Sequence, residues 1–251
     1  MKNCIFFSLM LLLFFKAHTQ NCVEPFHIVI LGSSTAAGDG VTDITKSWAY
    51  MYTEYLKAIN PNYVVDNLAV AGTTTYDAQA NDYTPPPGRP KPRKGHNISA
   101  AIQMHANAII INYPSNDVSN YYTVTEQEEN LKRITTRAAN HNILVWVTTT
   151  QPRNFFSAKQ VKRQNQVYAW VMSYYGNKAI DFQTGLASSV DSILYQYDSG
   201  DGIHLDNAAH KKLYNRVVKE HIPDSLCARL MSVPIAEEIM SKPKFISHAT
   251  Y

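Results

Sequence analysis

Residues 26–40 read FHIVILGSSTAAGDG, an apolar run that ends abruptly in Gly32-Ser33-Ser34 and is followed closely by Gly38 and Gly40. The β-branched content and length of the run are those of a buried parallel strand, and the small residues after it form a tight turn at its carboxyl end. In open α/β sheets that end is where ligands bind. Ser34 therefore falls where a nucleophile is useful. Chemistry there also requires a base, an orienting carboxylate and oxyanion donors from elsewhere in the chain.

Outward from this stretch the hydrophobic period changes repeatedly. Residues 47–59 (SWAYMYTEYLKAI) carry apolar side chains at helical spacing, 63–70 (YVVDNLAV) and 106–113 (ANAIIINY) read as strands, and 125–141 reads as a helix with Glu126, Glu128 and Glu129 near its positive end. A buried strand over 143–149 (ILVWVTT), a helix over 158–175, a short strand over 178–182 and a helix over 207–220 complete the series. This alternation predicts an α/β fold, a doubly wound and mostly parallel sheet with helices on both faces. Residues 82–97 (DYTPPPGRPKPRKGHN) hold too many prolines for regular helix or a central strand. They read either as a loop that shapes a binding site or as a solvated, polyproline-like excursion.

At 251 residues and 45% hydrophobic, the chain has apolar material for one sizeable core, so a single domain is expected. Its first residues, MKNCIFFSLMLLLFFKAHTQ, combine Lys2, an apolar run from Cys4 to Phe15 and a small-residue region around Ala17 and Thr19. That is the pattern of a secretory signal, too short for a comfortable membrane span. The expected organisation is a signal peptide over 1–20, a folded domain over 21–225 and a tail over 226–251 whose order is left open. Export to the periplasm or exterior is expected, with no stable membrane span after cleavage. The formal charge of +3 falls to about +1 once Lys2 and Lys16 leave, which gives no basis for nucleic-acid binding. Cys22 and Cys227 would remain, either joined in an oxidising compartment or as two thiols.

Polar and glycine positions recur at the expected strand ends: Ser33 and Ser34, then Asn67 and Gly72 (NLAVAGTTT), then Asn116 and Asp117 (YPSNDV), and finally Asp201-Gly202-Ile203-His204 before the last helix. Asp201 and His204 are spaced so that the carboxylate can accept from imidazole Nδ1, leaving Nε2 to face a serine hydroxyl as general base. The alternative is that Asp201 and Asp206 only mark a helix start and His204 is a surface residue. His210 extends the pattern to His204-x-Asp206-x-x-x-His210, which lacks the i, i+4 histidines of helical zinc sites, so no metal is expected. The Asn116 amide, the Gly72 N–H and the Ser34 N–H could supply three donors to a developing oxyanion. Asn116 would equally suit a turn or cap, and Gly72 a plain turn.

In their order and spacing these four blocks resemble those of the SGNH (GDSL-type) hydrolases, over residues 26–222. The resemblance implies a flavodoxin-like three-layer α/β/α sandwich with a mostly parallel five-stranded sheet, and a serine esterase or acylhydrolase needing no cofactor. It implies Ser34 as nucleophile, His204 as base, Asp201 as its partner, and Ser34, Gly72 and Asn116 as the oxyanion hole. Two positions depart from the pattern. Ser33 replaces the usual aspartate and becomes a rival to Ser34, and Pro114 stands where a glycine two before the asparagine is usual. The chain is similar to secreted bacterial members recognisable by INYPSNDV, WVTTTQPRNF and YDSGDGIHL.

The expected activity is hydrolysis of carboxylic esters through an acyl-enzyme on Ser34. Acetyl esters of glycans are favoured by export and by Tyr76, Tyr83, Tyr121 and Tyr122 as sugar-facing aromatics. Lysophospholipase or thioesterase-like activity, or a catalytically silent carbohydrate- or protein-binding module, are the alternatives. A phosphate-cradling reading of residues 32–40 finds neither a Gly-Lys-Ser/Thr ending nor a G-x-G-x-x-G pattern.

Overall fold

The computed structural model describes residues 24–113 and 115–232. The expected signal peptide, Cys22 and Pro114 lie outside the described residues. Five parallel strands form the sheet: β1 (His27–Gly32), β2 (Val64–Asn67), β3 (Ala108–Asn112), β4 (Leu144–Thr148) and β5 (Ala179–Ile180), in the order β2-β1-β3-β4-β5. This is the flavodoxin-like order, with its switch point between β1 and β3. The helices are α1 (Ser34–Ala37), α2 (Trp48–Ile59), α3 (Ile98–Gln103), α4 (Asn116–Ser119), α5 (Val124–Ala139), α6 (Ala158–Tyr175), α7 (Asn207–Val218) and α8 (Ile222–Ser232).

Alternation along the central strands creates two cores. Ile28, Ile30, Ala108, Ile110 and Trp146 face Trp48, Tyr52 and Leu56 of α2 and Ala209, Leu213 and Val217 of α7. Val29, Leu31, Ile109, Ile111 and Val147 face Leu131 and Ile134 of α5 and Val167 and Val171 of α6. Both faces of β1 and β3 are therefore dry, which is why these strands read as unbroken apolar runs. The result is the three-layer α/β/α sandwich. The long helices start where side chains can hold their free N–H groups: Thr123 with Glu126 and Ser157 with Gln160 form capping boxes at α5 and α6.

Three local differences from the sequence reading have physical causes. The strand over 63–70 is shorter because Asn67 turns its side chain onto the backbone, donating to the Ala36 carbonyl at 2.6 Å and accepting from Ala69 N–H. Helix α3 was hidden because it has only one and a half turns and follows the proline-rich segment; Asn97 caps it by accepting from Ala100 N–H. The boundary at 225/226 falls inside α8, whose Ile222, Leu226 and Cys227 are buried against the α2/α7 core. Cys227, the only cysteine among the described residues, is disulfide-bonded.

Residues 82–97 are fastened to the domain. Arg89 Nε donates to Glu126 at 2.6 Å and its guanidinium lies 4.3 Å from the Tyr122 ring centre, while Arg93 N–H donates to the Asp77 carbonyl. Tyr76 also donates to Glu126.

Candidate active site

The switch point of the sheet gathers the four blocks. β1 ends at Gly32, where a Cβ would lie 2.7 Å from both Ala36 Cβ and the Asn112 carbonyl oxygen, so only glycine lets α1 begin directly above the strand. Ser33 precedes α1 in an extended conformation and is fully buried, whereas Ser34, its first residue, is 6% exposed. Beyond α1, Gly40 (φ +96°) abuts the histidine loop: a Cβ there would collide with the Leu205 carbonyl oxygen and lie 2.8 Å from His204 Cβ. The serine turn and the histidine loop thus share a seam with no room for a side chain.

In the loop after the 3-10 turn at Tyr195–Tyr197, Asp201 and His204 pair closely. Asp201 Oδ2 is 2.6 Å from His204 Nδ1, while Asp201 Oδ1 accepts from the N–H groups of Ile203 and His204 at 2.8 Å each. Partial burial works against ionisation of Asp201, but the His204 and Ile203 N–H groups and the imidazole outweigh it, so the carboxyl lies well below the usual carboxylate range. A carboxylate on Nδ1 places the ring proton there and leaves Nε2 as the free lone pair. Asp198 holds the loop itself, accepting from Gly200 and Gly202 N–H and from the Asn154 amide.

Asn116 is brought to the serine turn by its side-chain amide. Its side-chain amide donates to Ser33 Oγ at 2.7 Å and to the Thr73 carbonyl at 3.0 Å, so both amide hydrogens have acceptors. Ser33, standing where the resemblance puts an aspartate, supplies one of them. Gly72, at φ +78°, has open space where a Cβ would be. The neighbouring Asp117 is buried and accepts from Thr75 N–H and Oγ1. Burial raises its pKa to about 6 against the pull of those donors.

His210 supports the start of α2. It is fully buried, its Nδ1 accepts from the Trp48 N–H at the start of α2, and burial lowers its pKa to about 4. Among the described residues no cluster of His, Cys, Asp or Glu could hold a metal ion, and no helix is long and apolar enough to cross a membrane. Asp206 caps α7, accepting from Ala209 N–H at 2.8 Å.

Tyr76 and Tyr122, expected to face sugar, are buried around Arg89 and Glu126; only Tyr121 of the four stands well out of the surface. Their burial follows from the Arg89–Glu126 ion pair, which draws the proline-rich segment over them.

Two polar residues at the site were not singled out from the sequence. Asp39 places its carboxylate 3.9 Å from His204 Nε2. Gln151, buried just beyond β4, accepts from Thr35 Oγ1 at 2.5 Å and donates to the Ile203 carbonyl at 3.2 Å. The signal was present: Gln151 follows the strand ILVWVTT, at the same carboxyl edge that marked the other blocks.

The sequence profile of the GDSL-like lipase/acylhydrolase family matches residues 30–212, which contain every one of these positions. The chain belongs to this family of ester-hydrolysing enzymes. No curated protein matches it. Among solved structures it is similar to TesA, at 18% identity and a TM-score of 0.60 over 79% of this chain and 99% of that one. It is also similar to the psychrotrophic esterase EstA from Pseudoalteromonas sp., inhibited by monoethylphosphonate (15%, TM-score 0.55, 77% and 95%). A third is a mutant of Axe2, an acetyl-xylooligosaccharide esterase from Geobacillus Stearmophilus (13%, TM-score 0.57, 78% and 93%). At these identities the likeness establishes the shared SGNH hydrolase fold.

Proposed function

We propose that this protein is an exported serine esterase in which Ser34 is the nucleophile, His204 the general base and Asp201 its orienting partner. The observation that carries the reading is the 2.6 Å Asp201–His204 contact, because a carboxylate on Nδ1 takes the ring proton there and leaves Nε2, 3.9 Å from the Asp39 carboxylate, to act as base. Ser34 Oγ attacks the ester carbonyl carbon and its proton passes to His204 Nε2. The tetrahedral oxyanion takes hydrogen bonds from Ser34 N–H, Gly72 N–H and the Asn116 amide. The carbon–oxygen bond to the alcohol then breaks, His204 protonates the leaving oxygen, and a water deprotonated by His204 releases the acid from Ser34.

Ser34 is favoured over Ser33 because the Ser33 hydroxyl is buried and holds Asn116. For Asn116 to serve an oxyanion, one of its hydrogens must leave Ser33 Oγ or the Thr73 carbonyl. That requirement favours the second reading, a silent binding module, only if the exchange is too costly. Acetyl groups on glycans are the substrate class we favour, supported by the acetyl-xylooligosaccharide esterase on the same fold and by a leader of export type. The disulfide-bonded Cys227 supports an oxidising destination.

The deciding experiment is hydrolysis of p-nitrophenyl esters of increasing acyl length by the purified protein beside Ser34→Ala and Ser33→Ala. Activity that peaks at acetyl, survives Ser33→Ala and vanishes in Ser34→Ala is the expected result. A folded wild type that is inert across the series and unlabelled by a serine-directed organophosphate selects the binding module.

A further inference from the structure

The motif QPRNF after β4 has no part in the reading above, yet its first residue bridges the two halves of the site. Gln151 is 1% exposed, and its amide is engaged at both ends by groups next to the proposed reacting residues: Thr35 follows Ser34 and Ile203 precedes His204. The amide orientation is forced, because turning it over would set its oxygen against the Ile203 carbonyl oxygen. A buried amide that only filled space would be better replaced by leucine or methionine, since each unpaired polar atom there costs free energy. Here both are paired, and both partners belong to the seam between the serine turn and the histidine loop. The hydrogen bonds of Thr42 with Asn207 and of Trp48 with His210 also join these two segments, but they lie further along the chain from both Ser34 and His204.

We propose that Gln151 is a positioning residue that sets the separation of Ser34 from His204, with Thr35 as its partner on the serine side. The inference rests on the esterase reading. Gln151 touches neither substrate nor reacting atom; it holds α1 and the 201–204 loop to a common point in the buried segment just beyond β4. A misplacement of about 1 Å between nucleophile and base is enough to cost roughly 100-fold in rate.

The test uses Gln151→Met, Thr35→Val and the double variant, with kcat and KM on p-nitrophenyl acetate, the rate of Ser34 phosphonylation and Tm measured on each. Gln151→Met is expected to lower kcat and the phosphonylation rate by the same factor, roughly 30-fold, with KM within about threefold, because geometry and not binding is lost. Thr35→Val is expected to lose roughly fivefold, and the double variant to be no worse than Gln151→Met, as one shared tie requires. Losses that multiply in the double variant, or kcat unchanged while Tm falls, overturn the proposal. Should Gln151→Met fail to fold, Thr35→Val alone decides: unchanged kcat overturns it. A wild type with no ester turnover and no labelling sinks the esterase reading, and the positioning role with it. A working wild type with an indistinguishable Gln151→Met sinks the positioning role alone.

Discussion

His204 and His210 lie six residues apart on one segment and do opposite things with the same ring. His204 gives its Nδ1 to a carboxylate, so its proton sits there and Nε2 carries the lone pair. His210 accepts the Trp48 N–H on Nδ1, so its proton sits on Nε2, and burial holds it neutral far into the acid range. The N–H that His210 accepts is one of the unpaired donors at the start of α2, where a positive ring would be doubly unfavourable. The partner on Nδ1, more than burial or sequence spacing, decides whether a histidine here can take a proton from serine or can only hold a helix in place.

The sharpest way to break this contrast is to exchange the losses. His204→Ala is expected to cut kcat/KM by roughly 10⁴-fold on a p-nitrophenyl ester while leaving Tm within a few degrees. Asp201→Asn should come next, at roughly 10²- to 10⁴-fold, because an amide can leave the wrong ring nitrogen protonated. A His204→Ala protein that keeps even a tenth of wild-type activity would remove His204 from the mechanism.

His210→Ala should show the reverse pattern. It opens a cavity and leaves the Trp48 N–H unpaired, a loss of about 2–4 kcal/mol, or a drop in Tm of roughly 5–12 °C for a domain of this size, with kcat little changed. Its pH dependence has a definite sign. The ring's pKa falls from 6.5 to about 4 on folding, so between those values the unfolded chain binds the proton and the folded one does not. Stability from His210 is therefore whole above pH 6.5 and lost as pH falls toward 4. Asp117 works in the other direction: its pKa rises from 3.8 to about 6, so its contribution is whole below pH 3.8 and lost as pH rises through 6. Tm measured from pH 4 to 7 should fall less steeply toward acid in His210→Gln than in wild type. It should fall more steeply in Asp117→Asn. Identical slopes in all three would mean that neither buried group titrates as its surroundings demand.

The same contrast between partner and pattern explains what the sequence made legible. The strands showed through because β1 and β3 are buried on both faces, and Ser34, Gly72 and Asn116 because each follows the carboxyl end of a strand. The Asp201–His204 pairing is local, so spacing alone was enough to suggest it. The direction of the Asn116 amide depends on Ser33 and Thr73, far away in the chain, and no spacing rule reports it. Tyr76 and Tyr122 looked like binding aromatics because their burial depends on Arg89 reaching Glu126 across the proline-rich segment. Gln151 is inconspicuous in the sequence, since a lone glutamine after a strand has no periodic or local partner to mark it.

Asp39 joins the two histidines and supplies the smallest expected effect. Its backbone approaches His210, while its half-exposed carboxylate lies 3.9 Å from His204 Nε2. When Nε2 takes the serine proton, a positive ring forms beside that carboxylate. At this distance and exposure the attraction is worth about 1 kcal/mol in a water-like dielectric, and salt weakens it. Asp39→Asn should therefore lower kcat roughly fivefold at low ionic strength, with the deficit shrinking as salt is added and Tm held. A deficit that ignores salt would mean that Asp39 acts by steering the ring or by holding the turn at Gly40. In that case the carboxylate belongs with His210, among the groups that build the site without entering its chemistry.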